Sequence, residues 1–237
     1  HVSVVGIADP DDLRLVEVGE EFGIPGRFDS AERLFDAMQP DIVSIAVPNK
    51  YHKPLTELAF AHGAHVLCEK PPAMNAGEAQ AMIAAAERAE RRLMINFSFR
   101  FTPQSRALRD EVDTGVLGDV YFARTVWHRR RGIPRFGGWF GRKELSGGGP
   151  LIDLGVHRLD LALWLMGYPE PEWVMGATYD PIARRLAEEA GIDYSVEDLA
   201  AAFIRFTYGA TLVVEASWAA HIGRSEERRV GKECATG

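Results

Sequence analysis

Residues 41–71 read DIVSIAVPNKYHKPLTELAFAHGAHVLCEKP, and the punctuation of this stretch decides the fold. Asp41-Ile-Val-Ser-Ile-Ala-Val47 is an apolar, β-branched run of strand length that Pro48-Asn49 closes. A helix is expected from Pro54 to His62, stopped by Gly63, and His65-Val-Leu-Cys68 reads as the next strand. Strand, helix and strand, each strand apolar along its whole length, describe a parallel βαβ unit covered on both faces.

The alternation extends in both directions. Upstream, Val2–Ala8 is another continuous apolar run, and Asp9-Pro10-Asp11-Asp12 opens a helix reaching about Phe22. Asp29 or Ser30 caps a helix over Ala31–Met38. Downstream, helix Ala76–Arg91 carries Ala79, Met82, Ile83 and Ala86 at spacings of three and four, and Leu93–Phe97 is a fourth strand. From about Phe99 the pattern changes to α+β. A helix near Pro103–Thr114 precedes a long β-branched and aromatic strand, Val120–Arg131, and a Gly/Trp-rich loop over 132–149. Helix Pro150–Met166 follows, then strands Trp173–Tyr179, Asp198–Tyr208 and Thr211–Trp218, the last two forming a hairpin about Tyr208-Gly209-Ala210. The expected fold is a Rossmann-type doubly wound parallel sheet followed by an α+β domain with a largely antiparallel open sheet. The corresponding boundaries are 1–98 and 99–223.

Composition narrows the function. The 237 residues are 46% hydrophobic and 26% charged, with net charge -7, which fits a globular chain and speaks against a nucleic-acid surface. No apolar run is long enough for a membrane span, and no membrane partner is expected. Two cysteines, Cys68 and Cys234, make no disulfide framework, and a reducing, cytoplasmic compartment is the expectation. Both ends are unusual. The chain opens inside an apolar run, and Arg224-Ser-Glu-Glu-Arg-Arg-Val-Gly-Lys-Glu-Cys234 resembles an in-frame translation of a sequencing adapter. Residues 224–237 are therefore read as an artefactual tail and set aside from fold reasoning.

The candidate site residues fall at strand ends. Asp9 ends the first strand; Val47-Pro48-Asn49 with His52 follows the second; Cys68-Glu69-Lys70-Pro71 follows the third; Asn96 and Arg100-Phe101 follow the fourth. Gly147-Gly148-Gly149-Pro-Leu-Ile-Asp153-Leu-Gly155-Val-His157 lies at the start of a later helix. In open α/β sheets ligands sit at the carboxyl ends of the strands, so the first group would line one edge. Asp153 and His157 are spaced i, i+4 and would share a helix face. An imidazole can take an alcohol proton at neutral pH. Gly147–Gly149 suit close backbone packing at a helix entry. Cys68 reads as a buried strand residue, and Arg124 with His128–Arg131 as a solvated rim or an anion contact. Trp127, Trp139 and Phe140 suit either a sugar-stacking platform or core packing. No His/Cys/carboxylate cluster completes a metal site, and no metal is expected.

This ordered set resembles the Gfo/Idh/MocA family of nicotinamide-dependent sugar and polyol oxidoreductases, over about residues 1–223. The resemblance extends through Val196-Glu-Asp-Leu-Ala and Glu215-Ala-Ser-Trp218. It implies hydride transfer between NAD(P) and a secondary hydroxyl of a sugar, inositol or related polyol. The implied catalytic residues are Lys70, Asp153 and His157. Asp9, Pro48, Asn49, His52, Glu69, Lys70, Asn96 and Arg100 are implied to bind cofactor. Lys70, Arg100, Trp139, Asp153 and His157 are implied to meet substrate. Asp9 has a second reading as a plain helix cap. As a ribose ligand its carboxylate would repel a 2′-phosphate, favouring NAD over NADP. An NAD-dependent glycoside hydrolase and a non-catalytic sugar or dinucleotide sensor are the alternative functions. A homo-oligomer formed through the second-domain sheet is the implied assembly. The chain holds no G-x-G-x-x-G, and Val2–Asp9 corresponds to the second strand of the 3-2-1-4-5-6 order. The expected consequence is a sheet split into a 3-2 pair and a 4-5-6 triplet. A second expectation is that this stretch alone is inactive, with little affinity for NAD.

Overall fold

A computed structural model describes residues 2–134, 136–221 and, for the backbone alone, 226–227. Apart from those two residues, the adapter-like tail lies outside the described residues. The chain divides into two compact units, residues 1–47 with 51–96, and residues 48–50 with 97–237.

The first unit runs β1 (Gly6–Ala8), α1 (Asp12–Glu21), β2 (Gly26–Phe28), α2 (Ala31–Met38), β3 (Ile42–Ile45), α3 (His52–Ala61), β4 (His65–Cys68), α4 (Ala76–Arg88) and β5 (Leu93–Ile95). Its strands form two separate parallel sheets among the described residues, β1-β2 and β3-β4-β5. That is the split into pair and triplet that the order 3-2-1-4-5-6 leaves once its first strand is taken out. The local sequence explains the helices. Asp11 caps α1 by accepting from the Leu13 and Arg14 amides. Asn75 caps α4 by accepting from the Glu78 amide at 3.0 Å, and the Glu78 carboxylate accepts from the Met74 amide, one residue before the cap, at 3.2 Å. Phe35, Ile45, Phe60, Val66, Cys68 and Met82 fill the core of this unit.

The second unit contains α5 (Pro103–Asp113), β6 (Phe122–His128), α6 (Lys143–Ser146), α7 (Val156–Leu165), β7 (Pro171–Tyr179), α8 (Pro181–Ala190), β8 (Leu199–Phe206), β9 (Thr211–Ser217) and the two-residue β10 (Glu226–Glu227). The sheet order is β10-β6-β9-β8-β7. Every pair is antiparallel except β6-β9. One face packs Ile204, Phe206, Leu212 and Val214 against Leu159, Ala162 and Leu163 of α7. By strand alternation the opposite face carries Phe122, Trp173, Met175 and Phe203.

Several expectations change. The strand over Val2–Ala8 shortens to three residues, because its one partner, β2, is itself only three residues long and was not expected. Helix α8 was not expected either. Pro181 in its first turn and Gly191 at its C-cap were legible signals, but its N-terminal amides are bound from a distance. The Asp198 carboxylate accepts from Ile182 and Ala183 at 2.9 and 2.8 Å. The expected helix Pro150–Met166 opens instead as a π-helical turn, Leu151–Gly155, before α7 begins. Gly155 brings that turn onto β9, where an added Cβ would lie 3.3 Å from the Ala216 side chain.

Candidate functional site

In the first unit the parallel register sets Cys68 beside Ile95, so Glu69-Lys70 and Asn96 emerge from adjacent strand ends. The ladder continues one step beyond each strand, with the Asn96 amide donating to the Cys68 carbonyl and the Glu69 amide to that of Ile45. The Asn96 side-chain amide donates to Glu69 Oε1 at 2.6 Å, and the Lys70 amide donates to Glu69 Oε2 at 3.3 Å. Glu69 thereby uses both carboxylate oxygens to fix the turn that carries Lys70, whose peptide bond to Pro71 is cis. Lys70 itself is half-buried.

Beneath this edge lies His52, fully buried. Its Nδ1 is 2.8 Å from the Pro71 carbonyl and its Nε2 is 3.0 Å from the Val47 carbonyl. Both ring nitrogens lie against main-chain carbonyls; a ring with one N–H donates to one of the two, and the ring sits between the end of β3 and the Lys70-Pro71 loop. This corrects the cofactor-binding role expected of His52: no ring nitrogen is left to point at a ligand. Cys68 is a packing residue as expected, its thiol pushed up to about 12, chiefly by burial. The neighbouring Thr56 hydroxyl opposes that rise and the Glu69 charge adds to it. Asp9 stands at the end of β1 and is not the cap of α1, which Asp11 supplies. Asp9 Oδ1 accepts from the Asp11 amide at 2.9 Å, which fixes the side chain at the strand end.

In the second unit Asn49, only 5% exposed, donates its side-chain amide to the Ser146 carbonyl at 2.7 Å. Pro48 precedes it in the same unit. Arg100 departs from expectation. Its Nε donates to Asp160 Oδ2 at 2.7 Å and a second guanidinium nitrogen donates to Oδ1. The plane also lies over Phe97 and Tyr168, at 5.5 and 5.4 Å from the ring centroids. The guanidinium pKa is raised, first by the Asp160 hydrogen bond. Arg100 thus commits its fork to a buried carboxylate rather than to substrate or cofactor. Asp160→Ala strands that guanidinium. The expected cost is about 3 kcal/mol, the low end for a broken buried pair, because Arg100 keeps part of its surface in water. Arg184→Ala breaks an exposed pair with Asp180 and should cost less than ~1 kcal/mol. Urea denaturation of both variants measures the contrast, and equal shifts would contradict it.

Asp153 sits in the π-turn, and its Oδ2 accepts from Trp218 Nε1 at 2.9 Å. Such turns recur at functional sites because they re-aim side chains that a regular helix would hold in phase. Asp153 and His157 therefore straddle a change of helix type and do not lie on one regular helical face. His157 packs edge-on to Phe99 at 5.1 Å and is tilted against Trp127 at 6.0 Å. Trp139 stacks on Phe140 at 3.9 Å and 23°, and Phe140 meets Trp218 edge-on. Sequence reasoning missed Asp160, which holds Arg100, and named Trp218 only within the family resemblance, without its bond to Asp153. Among the described residues no group of three or more His, Cys, Asp or Glu side chains could hold a metal ion. No helix among them is long and apolar enough to cross a membrane.

Comparison with known proteins gives two family matches. Residues 1–97 match the oxidoreductase family with an NAD-binding Rossmann fold, GFO/IDH/MocA, and residues 105–232 match the GFO/IDH/MocA C-terminal domain. The second match runs beyond Arg224, where the adapter-like segment begins. The chain is 35% identical over 228 residues to D-glucoside 3-dehydrogenase of Escherichia coli, covering 93% of this chain and 64% of that protein. It is 30% identical over 224 residues to D-apiose dehydrogenase of Rhizobium rhizogenes, covering 93% and 60%. Among solved structures, aldose-aldose oxidoreductase from Caulobacter crescentus, complexed with glycerol, aligns with TM-score 0.79 at 32% identity, covering 92% and 64%. Levoglucosan dehydrogenase in complex with NADH aligns with TM-score 0.82 at 26% identity, covering 94% and 59%. The chain thus spans slightly less than two thirds of the length of these relatives.

Proposed function

The chain belongs to the GFO/IDH/MocA oxidoreductase family, and from that membership we propose that the whole protein is a sugar dehydrogenase. It transfers hydride between NAD and a secondary hydroxyl of a sugar, inositol or related polyol. The observation that carries the reading is the braced turn at the ends of β4 and β5, where Glu69 and Asn96 present Lys70. Sugar dehydrogenases among the relatives support the substrate class.

Asp9 supports the dinucleotide reading. The Asp9 carboxylate is pinned at the carboxyl end of β1, the position from which such a group accepts from the adenosine ribose hydroxyls. When bound, the nicotinamide supplies the hydride acceptor. Lys70 donates a hydrogen bond to the substrate hydroxyl and electrostatically favours loss of its proton. His157 accepts that proton, and its ring is oriented by Phe99 and Trp127. Asp153 orients the substrate from the π-turn. Trp139 offers its stacked indole to the apolar face of a sugar ring.

The test is a screen of the full-length protein over glycosides, aldoses and inositols with either cofactor. NAD reduction on one of these classes, with kcat/KM for NAD above that for NADP, is the expected result. Asp9→Ser should narrow the NAD preference by about tenfold, since it removes one charge-assisted contact. A wild-type protein that prefers NADP would contradict the role of Asp9, and inertness towards all three classes would sink the function.

The reading includes a homo-oligomer built on the open face of the second-unit sheet. That face exposes Trp173, Met175 and Phe122, 46%, 67% and 54% accessible, around an Arg124–Glu215 pair at 2.7 Å. Two copies related by a two-fold axis would cover the apolar side chains and pair each Arg124 with the other copy's Glu215. Sedimentation equilibrium of the full-length protein should show a dimer or tetramer that Met175→Glu dissociates; a wild-type monomer would refute it. A reducing, cytoplasmic compartment belongs to the same reading, supported by the free, buried thiol of Cys68.

A further inference from the structure

Trp218 follows β9 and is completely buried. Its main-chain amide donates to the Asp198 carbonyl at 3.1 Å, and its side chain packs with Leu154, Val196 and Ala216. An indole nitrogen can only donate, so burial obliges Nε1 to find an acceptor. The acceptor it finds is the Asp153 carboxylate, at 2.9 Å. The same indole meets the edge of Phe140, on whose face Trp139 stacks. One core side chain thus holds a carboxylate on one side and supports an aromatic plate on the other.

We infer that Trp218 is a positioning residue: its indole N–H sets the orientation of the Asp153 carboxylate. The inference rests on the proposed role of Asp153 in orienting substrate. A carboxylate in a π-turn is out of phase with the neighbours that a regular helix would place beside it, and here a fixed donor arrives from the end of β9. Because Trp218 is packed on all sides, the donor cannot follow the carboxylate if it rotates. The hydrogen bond therefore selects one orientation of Asp153 rather than merely accompanying it. Phe at the same position removes the donor and keeps one ring of the apolar contact, at the cost of the cavity left by the other.

Two measurements on the full-length protein decide this. With 15N-labelled tryptophan, the Nε1–H cross-peak of Trp218, assigned by its loss in Trp218→Phe, should shift in Asp153→Asn. It should also follow the protonation of one carboxylate during acid titration, a step absent in Asp153→Asn. A cross-peak indifferent to both overturns the inference, whatever the turnover. In kinetics, Trp218→Phe should lower kcat ~10-fold or more with little change in KM for the sugar, since misplacing an orienting group acts on the reacting geometry. Combined with Asp153→Asn it should add almost nothing, because both changes act through one carboxylate. Additive losses would overturn the inference. If Asp153→Asn turns over at the wild-type rate while the cross-peak still shifts, the proposed role of Asp153 fails and the positioning role fails with it. The hydrogen bond alone then stands. If Trp218→Phe does not fold, the response of the indole cross-peaks to acid, compared between wild type and Asp153→Asn, still separates the two outcomes.

Discussion

Lys70→Ala in the full-length protein is expected to lower kcat ~100-fold or more while leaving NAD affinity nearly intact, as befits loss of a charged donor to the oxygen that gives up its proton. The expectation rests on how firmly the main chain around Lys70 is held. Glu69 accepts from both the Asn96 side chain and the Lys70 amide, and the buried His52 ring lies between the Pro71 carbonyl of the loop and the Val47 carbonyl after β3. A loop held in this way presents its long cationic side chain reproducibly, and such preorganisation is what a charge-stabilising donor needs. Lys70→Arg should not restore turnover, because a planar, forked guanidinium does not match a compact ammonium in shape. Stopped-flow measurement of NADH formation gives kcat, and calorimetric titration gives NAD affinity. Near-normal turnover in Lys70→Ala would remove this residue from the chemistry, and a collapse of NAD affinity would make it a cofactor ligand instead.

Gly149→Ala is expected to cost more than ~4 kcal/mol or to prevent the second unit from folding, which puts it among the exceptional single substitutions. A Cβ on Gly149 would lie 2.0 Å from the Glu197 carbonyl oxygen and 3.0 Å from its carbon. Both atoms are main chain, and the segment they belong to runs into Asp198, whose carboxylate binds the first amides of α8 and whose carbonyl accepts from Trp218. Relief of the clash would have to move that whole junction. Thermal unfolding followed by circular dichroism should show an early transition or none for the variant. A melting temperature within a few degrees of wild type would mean that Glu197 yields easily and that the glycine is dispensable. The neighbouring Gly147 has a different reason to be glycine, since it closes α6 at φ 81°.

These two residues mark how far local reading reaches. Glu69-Lys70-Pro71 was legible because a strand of unbroken apolar residues ends in charge, and strand ends are where open sheets bind ligands. The close packing at Gly147–Gly149 was legible because three glycines at a helix entry have few other uses. Arg100 shows where local reading stops. Its position after a strand suggested a ligand contact, yet its partner Asp160 lies 60 residues away on another helix. His52 likewise followed a strand end, but the second carbonyl it meets is 19 residues along the chain.

By itself, then, the sequence determined what depends on near neighbours: the run of strands and helices, the caps supplied by Asp11 and Asn75, and the polar residues at strand ends. Apolar periodicity and side-chain-to-amide bonds act over a turn or two, so they are written in contiguous residues. Tertiary structure alone decided which polar groups are spent on the protein. Asp153 is held by Trp218 across 65 residues, α8 is capped by Asp198 rather than by its own N-cap, and β2 exists because β1 lies beside it. The reason is that a buried donor or acceptor must find its partner in space, and no periodicity along the chain records where that partner will be.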